Sequence, residues 1–186
     1  MIDTLLIIDR FYEAGSDLSE LLLLHSRQVA QLVQQLGERL VAQGKPLDLE
    51  FAVEAAMLHD IGVIHTNAPG IHCHGTEPYI CHGVIGRRML DEIGLFRHAL
   101  VCERHTGAGL SLDEIIERDL PLPHRDLLPL SIEEKLVCYA DKFFSKSHPY
   151  DPPRSLDVAR SKLAKFGTAT LARFDQMATL FGPPQV

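Results

Sequence analysis

Several features common in other classes of protein are missing from this sequence. It contains no tryptophan and only four cysteines, none of which forms a Cys-x-x-Cys pair. This pattern argues against a structural zinc knuckle and predicts a reducing, cytoplasmic compartment. The first residues, Met1 to Leu5, carry no basic group, so we expect no signal peptide. No apolar run approaches the length needed to cross a bilayer, and we expect no membrane partner.

The sequence also lacks an excess of basic residues. Its 18 Lys and Arg residues are outnumbered by 25 Asp and Glu residues, which gives a formal net charge of −7. An extended nucleic-acid-binding surface requires a basic patch, so this balance argues against one, although a local group of Lys and Arg can still bind a nucleotide. There is no Gly-x-Ser-x-Gly elbow, phosphate-binding loop or Rossmann fingerprint, which argues against the enzyme classes built on them.

The length and periodicity of the chain indicate a helical domain. Its 186 residues are enough for a substantial core, and we predict a single domain over 1–186. No segment shows the alternation of a strand, so we predict an all-α fold. Residues 63–78 are predicted to form an irregular loop that acts as a lid or specificity element. The predicted helices span about 2–14, 17–43, 49–58, 79–93, 95–103, 112–118, 132–144, 154–166 and 168–181.

Local start and stop signals support these helix bounds. Ser16 or Asp17 can cap the second helix, and Gly44 ends it. The segments 111–114 and 131–134 each have the Ser-x-x-Glu spacing of a capping box. Each of these signals predicts a helix boundary without reference to the apolar periodicity.

One apolar helix ends in two adjacent titratable side chains. The run from Ala55 to Leu58 is followed by His59 and Asp60, and Gly62 then lets the backbone leave the helix. Burying an imidazole and a carboxylate is costly unless something pairs with them. A metal ion is one such partner, because both groups are ligands of divalent metals. The alternative is a histidine that caps helix carbonyls beside an aspartate in a turn.

Other histidines and one aspartate occupy comparable positions. His25 lies on the apolar stripe of the second helix, three residues after Leu22, and is either an inward-facing ligand or a core histidine with one hydrogen bond. His82 falls in the first turn of one predicted helix, and His105 follows the end of another. Asp141 lies in an apolar stretch, where a buried carboxylate needs a partner.

The ordered pattern of these residues resembles the HD-domain superfamily of metal-dependent phosphohydrolases. The resemblance covers about residues 22–145. The chain is similar to small stand-alone members with a His-Asp-Ile-Gly motif, and to bacterial diadenosine tetraphosphate hydrolases. The resemblance implies a single-domain helical bundle of the HD type, with further helices over about 154–181. The matching motifs are His25 on the first long helix, Leu58-His59-Asp60-Ile61-Gly62, His82-Gly83 with Gly86, Arg104-His105-Thr106-Gly107 and Tyr139-Ala140-Asp141-Lys142.

The resemblance also implies a set of metal ligands. Some members carry a lysine where this chain has Val63, so the resemblance does not extend to that lysine. The implied catalytic residues are Asp60, His82 and His105. The resemblance implies two metal ions that share the carboxylate of Asp60. The other ligands of the first ion would be His25, His59 and Asp141. The other ligands of the second ion would be His82 and His105.

The types of ligand agree with this chemistry. Four imidazoles and two carboxylates, without a thiolate, suit one or two divalent Fe, Mn, Co, Ni or Zn ions better than calcium or copper(I). Two such ions about 3.5–4 Å apart can hold a bridging hydroxide at neutral pH. That hydroxide would attack phosphorus in line, so no nucleophilic side chain is needed.

Basic residues near the motifs are candidates for binding the substrate's other phosphates. Arginine suits bidentate phosphate contacts, and lysine acts as a point charge. The alternative for each candidate is ordinary solvated surface charge. The candidates are Arg104, Lys142, Lys146 and Arg87.

Together these observations predict a cytoplasmic metal-dependent phosphohydrolase. Its expected substrate is a nucleotide or another small phosphate ester or anhydride, and a homo-oligomer is compatible with the sequence. Two alternatives use the same six ligands. One is a di-iron oxygenase of the same fold, and the other is a non-catalytic module that binds a nucleotide or signalling phosphate.

Overall fold

A computed structural model describes residues 2–184. Met1, Gln185 and Val186 of the predicted 1–186 domain lie outside the described residues. The described part contains nine α-helices and one very small sheet, which confirms the all-α prediction. The helices are α1 (Thr4–Asp9), α2 (Asp17–Ala42), α3 (Leu49–Leu58), α4 (His82–Asp91), α5 (Phe96–Arg104), α6 (Leu112–Glu117), α7 (Ile132–Asp141), α8 (Leu156–Ala164) and α9 (Thr168–Phe181).

Capping residues decide where the longest helix begins and ends. Ser16 is the N-cap of α2, and its hydroxyl accepts a hydrogen bond from the Ser19 backbone N–H at 3.2 Å. Gly44 follows the helix with a φ of +75°, a conformation that glycine adopts without strain. These two signals predicted the bounds of α2 to within one residue. The prediction for α9 is confirmed at both ends.

Four helices are at least three residues shorter than predicted. Helices α4 (His82–Asp91) and α8 (Leu156–Ala164) were predicted over 79–93 and 154–166, and residues 79–81 form a 3-10 turn instead; the other two are α1 and α7. The side chain of Asp3 caps α1 by accepting hydrogen bonds from Leu5 and Leu6, so this helix covers only the middle of the predicted 2–14 segment. Helix α7 ends at Asp141 instead of residue 144, and the chain then turns so that the Arg154 N–H donates to the Phe143 carbonyl at 2.8 Å. This early end leaves Asp141 at the terminus of its helix.

The 63–78 segment is more ordered than the predicted irregular loop. It holds a three-stranded sheet of β1 (Thr66–Ala68), β2 (Cys73–His74) and β3 (Glu77–Pro78) in the order β2-β1-β3. Strand β1 pairs antiparallel with β2 and parallel with β3. The expectation of no strand was wrong here, because strands of two or three residues are too short to show alternation. Short 3-10 helices over 61–65, 69–71 and 79–81 complete the segment.

The core consists of two apolar clusters that meet near the middle of α2. One gathers α3, α7, α8, α9 and the later part of α2 around Leu36 and Phe174. The other gathers α1, α4, α5 and α6 around Leu58 and Leu90. On α2, Leu22 belongs to the second cluster and Val29 to the first, and His25 lies between them. Among residues 2–184, no helix is both long and apolar enough to cross a membrane.

Helix α9 is attached to the rest of the fold by a buried ion pair. The Arg173 guanidinium donates to Glu114 at 2.6 Å and to the carbonyls of Ala108 and Gly109 at 3.1 and 3.0 Å. Glu114 also accepts from the Thr170 hydroxyl at 2.8 Å. The C-terminal helix therefore holds the loop that follows α5.

The Glu114 carboxylate should stabilise the protein in a pH-dependent way. Burial opposes ionisation, but hydrogen bonds from Arg173 and Ser111 outweigh it and lower the pKa of Glu114 from 4.5 to about 2. Because folding lowers this pKa, the stabilisation is complete above about pH 4.5 and is lost as the pH falls towards 2. We expect Glu114→Gln to lower the free energy of unfolding by about 2 kcal/mol at neutral pH. The difference from wild type should narrow below about pH 4.5.

Urea denaturation of both proteins across this pH range measures the effect. Asp175→Asn is the matched control, because Asp175 on α9 forms an exposed surface pair with Arg160 on α8. Its effect should stay below about 1 kcal/mol at every pH. A Glu114→Gln difference that does not depend on pH would contradict the assignment.

Candidate metal centre

Six titratable side chains from separate parts of the sequence meet where the two apolar clusters join. His25 comes from the middle of α2, and Asp141 is the last residue of α7. His59 and Asp60 follow α3 directly, His82 begins α4 and His105 follows α5. All six are buried, and the most exposed of them retains 8% of its accessible surface. The fold thus brings together every residue that was predicted as a metal ligand.

These side chains form two groups that share one carboxylate. In each group the candidate ligand atoms lie within 4.8 Å of one another. The first group contains His25, His59, Asp60 and Asp141. The second group contains Asp60, His82 and His105.

The two oxygens of Asp60 face different groups. Oδ2 lies 3.2 Å from His25 Nε2 and 3.1 Å from His59 Nε2. Oδ1 lies 3.5 Å from His82 Nε2 and 3.4 Å from His105 Nε2. A carboxylate placed in this way can contact two cations, one through each oxygen.

Three of the histidines are oriented by the same backbone contact. The Nδ1 atoms of His59, His82 and His105 lie 2.6, 2.7 and 2.7 Å from the carbonyl oxygen three residues earlier in the chain. A carbonyl can only accept a hydrogen bond, so each Nδ1 carries the proton. When the ring is neutral, Nε2 therefore presents a lone pair to the centre of the cluster, as a metal ligand must.

The inward-facing atoms lack the partners that buried polar groups require. His82 Nε2 and His105 Nε2 are 3.0 Å apart, yet two neutral rings protonated on Nδ1 would oppose two lone pairs. Within residues 2–184, neither His59 Nε2 nor Asp60 Oδ1 has a hydrogen-bond partner of good geometry, and Asp60 Oδ2 has only an ion-pair contact with Lys146 Nζ at 2.6 Å. Each such group costs about 1–3 kcal/mol when unsatisfied. A bound metal ion would satisfy all of them, so the residues fit such an ion.

The charges within the cluster suit metal binding at neutral pH. Burial and repulsion by His105 lower the pKa of His82 to about 3, and burial lowers the pKa of His105, so both are neutral ligands. Burial acts to raise the pKa of Asp60, but the charges of His59 and Lys146 outweigh it and hold that pKa well below its usual range. The group of Asp60, His82 and His105 therefore offers an ionised carboxylate beside two neutral imidazoles.

The pKa of His59 is raised, whereas the pKa values of His82 and His105 are lowered. Burial acts to lower its pKa, but the charge of Asp60 and the hydrogen bond with Asp141 outweigh burial and raise it to about 9. Without a metal ion, a proton on His59 balances the two carboxylates. A metal ion bound there would take over that role and release the proton.

Comparison with known proteins agrees with this geometry. The family model described as HD domain matches residues 22–145, more than half of the chain. The chain belongs to the HD domain family. The buried cluster of this HD domain could hold a metal ion. No solved structure matches the chain significantly.

The curated proteins similar to this chain include one uncharacterized protein and two named as methyltransferases. An uncharacterized protein from Methanocaldococcus jannaschii is 38% identical over 124 residues, which cover 66% of each chain. Two proteins named tRNA (cytidine(56)-2'-O)-methyltransferase match at lower identity. The one from Thermoplasma volcanium is 27% identical over 94% of this chain and 46% of its own length. The one from Picrophilus torridus is 28% identical over 77% of this chain and 37% of its own length. The matched segment thus spans less than two-thirds of each relative.

Two of the four predicted substrate-binding residues contact the cluster directly. Lys142 Nζ donates to Asp141 Oδ2 at 2.6 Å and to the His105 carbonyl at 3.0 Å, so it supports two candidate ligands. Lys146 Nζ lies 2.6 Å from Asp60 Oδ2. Their contact with a substrate stays a prediction.

The two predicted arginines are engaged elsewhere by carboxylates. Arg104 pairs with Glu134 at 2.9 Å. Arg87 pairs with Asp91 at 3.2 Å and also with the buried Glu103. These ion pairs disfavour the prediction that either arginine binds phosphate. The position of each arginine beside a motif could not reveal these pairs, because Glu134 and Glu103 lie on different helices from the arginines they contact.

The ordered 63–78 segment and the chain after α7 enclose a cleft of about 430 Å³ beside the cluster. Tyr79 lies in its wall, and the Tyr79 ring stacks on His82 with 4.8 Å between the ring centroids. Its carbonyl is also the one that orients His82. Tyr79 was not among the predicted site residues, although an aromatic residue three positions before a candidate ligand was a usable signal. The role of the segment as a lid stays a prediction.

Gly62 has a different role from the predicted one. Its φ is not in the left-handed region, so the backbone could leave the helix with another residue at this position. A Cβ atom on Gly62 would instead lie 2.2 Å from the His82 carbonyl oxygen and 2.4 Å from the Gly86 nitrogen. The segment carrying Asp60 can therefore approach α4 only because residue 62 has no side chain.

We expect Gly62→Ala to separate Asp60 from His82. The added methyl group meets backbone atoms that cannot give way locally, so the free energy of unfolding should fall by about 3 kcal/mol or more. Urea denaturation measures this loss. Gly70→Ala is the control, because a Cβ there has no neighbour within 4 Å. Equal stability of the two variants would contradict the close approach.

Proposed function

We propose that this protein is a metal-dependent phosphohydrolase that acts on a nucleotide or another small phosphate ester or anhydride. The observation that carries the proposal is the pair of ligand groups that share Asp60, which Lys146 connects to a neighbouring cleft because it contacts Asp60 and also lines that cleft. His25, His59 and Asp141 would complete one metal site, and His82 and His105 the other. When bound, divalent ions supply Lewis acidity, which lowers the pKa of water and neutralises charge on a phosphoryl group.

The charge of the cleft favours an anionic substrate. Lys146 and Arg154 line it together with the hydroxyl-bearing Ser145 and Ser147. Its lining, as far as residues 2–184 form it, contains no acidic residue, although the whole chain carries a net charge of −7. The volume of about 430 Å³ lies within the range of small-molecule sites. A small phosphorylated compound fits this combination of charge and size.

The names of two relatives describe methylation of tRNA, and this activity has less support here. The matched segment covers 46% and 37% of those two proteins, so more than half of each has no counterpart in the match. The His and Asp groups found here are metal ligands by composition, and methyl transfer does not require them. The shared segment is better explained as an HD domain joined to another activity in those proteins.

Metal content tests the shared role of Asp60. We expect anaerobically purified wild type to hold about two transition-metal ions per chain. Asp60→Ala should fall towards none, because both sites lose a ligand and the bridge between them. His82→Ala should fall towards about one, because only the second site loses a ligand. Elemental analysis per folded chain measures all three.

His98→Ala is the matched control for these variants. His98 is also a buried histidine, but it pairs with Glu54 and packs edge-on against Phe51. Its removal should leave metal content at the wild-type value. Wild type without transition metal, or an Asp60→Ala variant with unchanged content, would contradict the proposed centre.

A substrate panel tests the reaction on the same preparations. Mononucleotides, dinucleoside polyphosphates and an aryl phosphate should reveal release of phosphate or a nucleotide from at least one class. Turnover should not require oxygen, and it should fall by at least about 100-fold in Asp60→Ala, because a direct ligand matters at least as much as an outer-shell partner. Strict dependence on oxygen would instead support the di-iron oxygenase. Binding without turnover would support the non-catalytic module.

A further inference from the structure

Lys146 lies between the ligand cluster and the cleft. Its Nζ atom is 2.6 Å from Asp60 Oδ2 and 3.9 Å from Asp141 Oδ1, and 16% of its side chain is exposed. It also interacts with Tyr79, and both residues line the cleft. The same ammonium group therefore has access to the candidate metal ligands and to the proposed substrate site.

The position of this ammonium group conflicts with a metal ion on Asp60. Oδ2 is the oxygen that also faces the Nε2 atoms of His25 and His59, so a metal ion in that group would bind it. A divalent ion and an ammonium group on one buried oxygen repel each other strongly. Metal binding should therefore drive Lys146 away from Asp60.

The cleft provides a place for the displaced group. Lysine has a flexible four-carbon stem, so a change of rotamer moves its charge by several ångströms without moving the backbone. The cleft contains the hydroxyls of Ser145 and Ser147 and the guanidinium of Arg154. A second positive charge there would need a counter-charge, which an anionic phosphoryl group supplies.

We propose that Lys146 is a displaceable cation that neutralises Asp60 in the metal-free protein and contacts the substrate's phosphoryl group once metal is bound. Metal loading would thus create the phosphate-binding position. This inference rests on the proposed function, because it assigns the phosphoryl group to the same cleft.

Calorimetry on wild type and Lys146→Met tests the proposal with two probes, Mn²⁺ alone and then inorganic phosphate on the Mn²⁺-loaded protein. Methionine keeps the apolar stem but removes the charge. We expect Mn²⁺ to bind Lys146→Met at least about tenfold more tightly, because the competing charge is gone. Phosphate should bind it about 10–100-fold more weakly, because a charged hydrogen bond is lost. Lys162→Met, at an exposed position on α8, should change neither affinity.

The opposite signs of the two effects separate this role from a structural one. Removal of a residue that merely supports the site would weaken both affinities. Lys146→Arg keeps the charge and should stay near wild type for Mn²⁺ and regain most of the phosphate affinity. If Lys146→Met does not fold, Lys146→Gln replaces it with the same expectations.

The outcomes also distinguish this proposal from the proposed function. Unchanged or weaker Mn²⁺ binding in Lys146→Met would overturn the displacement while leaving the metal-dependent hydrolase intact. Unchanged phosphate binding would likewise overturn the contact with the phosphoryl group. Wild type that binds no Mn²⁺ would overturn both proposals.

Discussion

The buried charge of Asp60 is the constraint on which the rest of the structure depends. Its side chain is inaccessible to solvent, and each oxygen faces a different set of histidines. An isolated carboxylate in such a place is too costly to remain ionised, so compensating groups must reach it from all sides. Helices α2, α3, α4, α5 and α7 each contribute a group from within or beside them, and the two apolar clusters hold these helices together. The packing of the core and the geometry of the site therefore depend on each other.

Backbone carbonyls at the ends of helices orient three of the imidazole rings. A helix terminus has carbonyl groups without an intrahelical partner, and a histidine placed just beyond it can satisfy one of them. His59 and His105 do so at the ends of α3 and α5, and His82 uses the carbonyl of Tyr79 in a 3-10 turn. One contact thus satisfies the backbone, selects the tautomer and directs Nε2 inward. His25 Nδ1 has no such contact among the described residues, and the ring is instead oriented by its Nε2 atom, which lies 3.0 Å from Asp141 Oδ1.

The features that were predictable from sequence are those with a local cause. Ser16 and Gly44 act on their own helix, and buried histidines such as His25 follow from apolar spacing. The sharing of Asp60 came from the family resemblance, since no local pattern encodes a distance between α3, α4 and α5. The strands at 66–78 are too short for a period, and the partners of Arg87, Arg104 and Lys146 are set by tertiary packing. The role of Gly62 was misassigned because its neighbour, the His82 carbonyl, is twenty residues away in sequence.

The attachment of α9 has a consequence for how this domain can be carried within larger proteins. The family match ends at residue 145, yet Phe174 and Phe181 on α9 pack against Tyr139 of the matched region. Arg173 holds Ala108 and Gly109, which follow His105 closely. The smallest portable unit is therefore larger than the recognisable motif region. A fusion that inherited only the motifs would expose the Tyr139 face and loosen one side of the site.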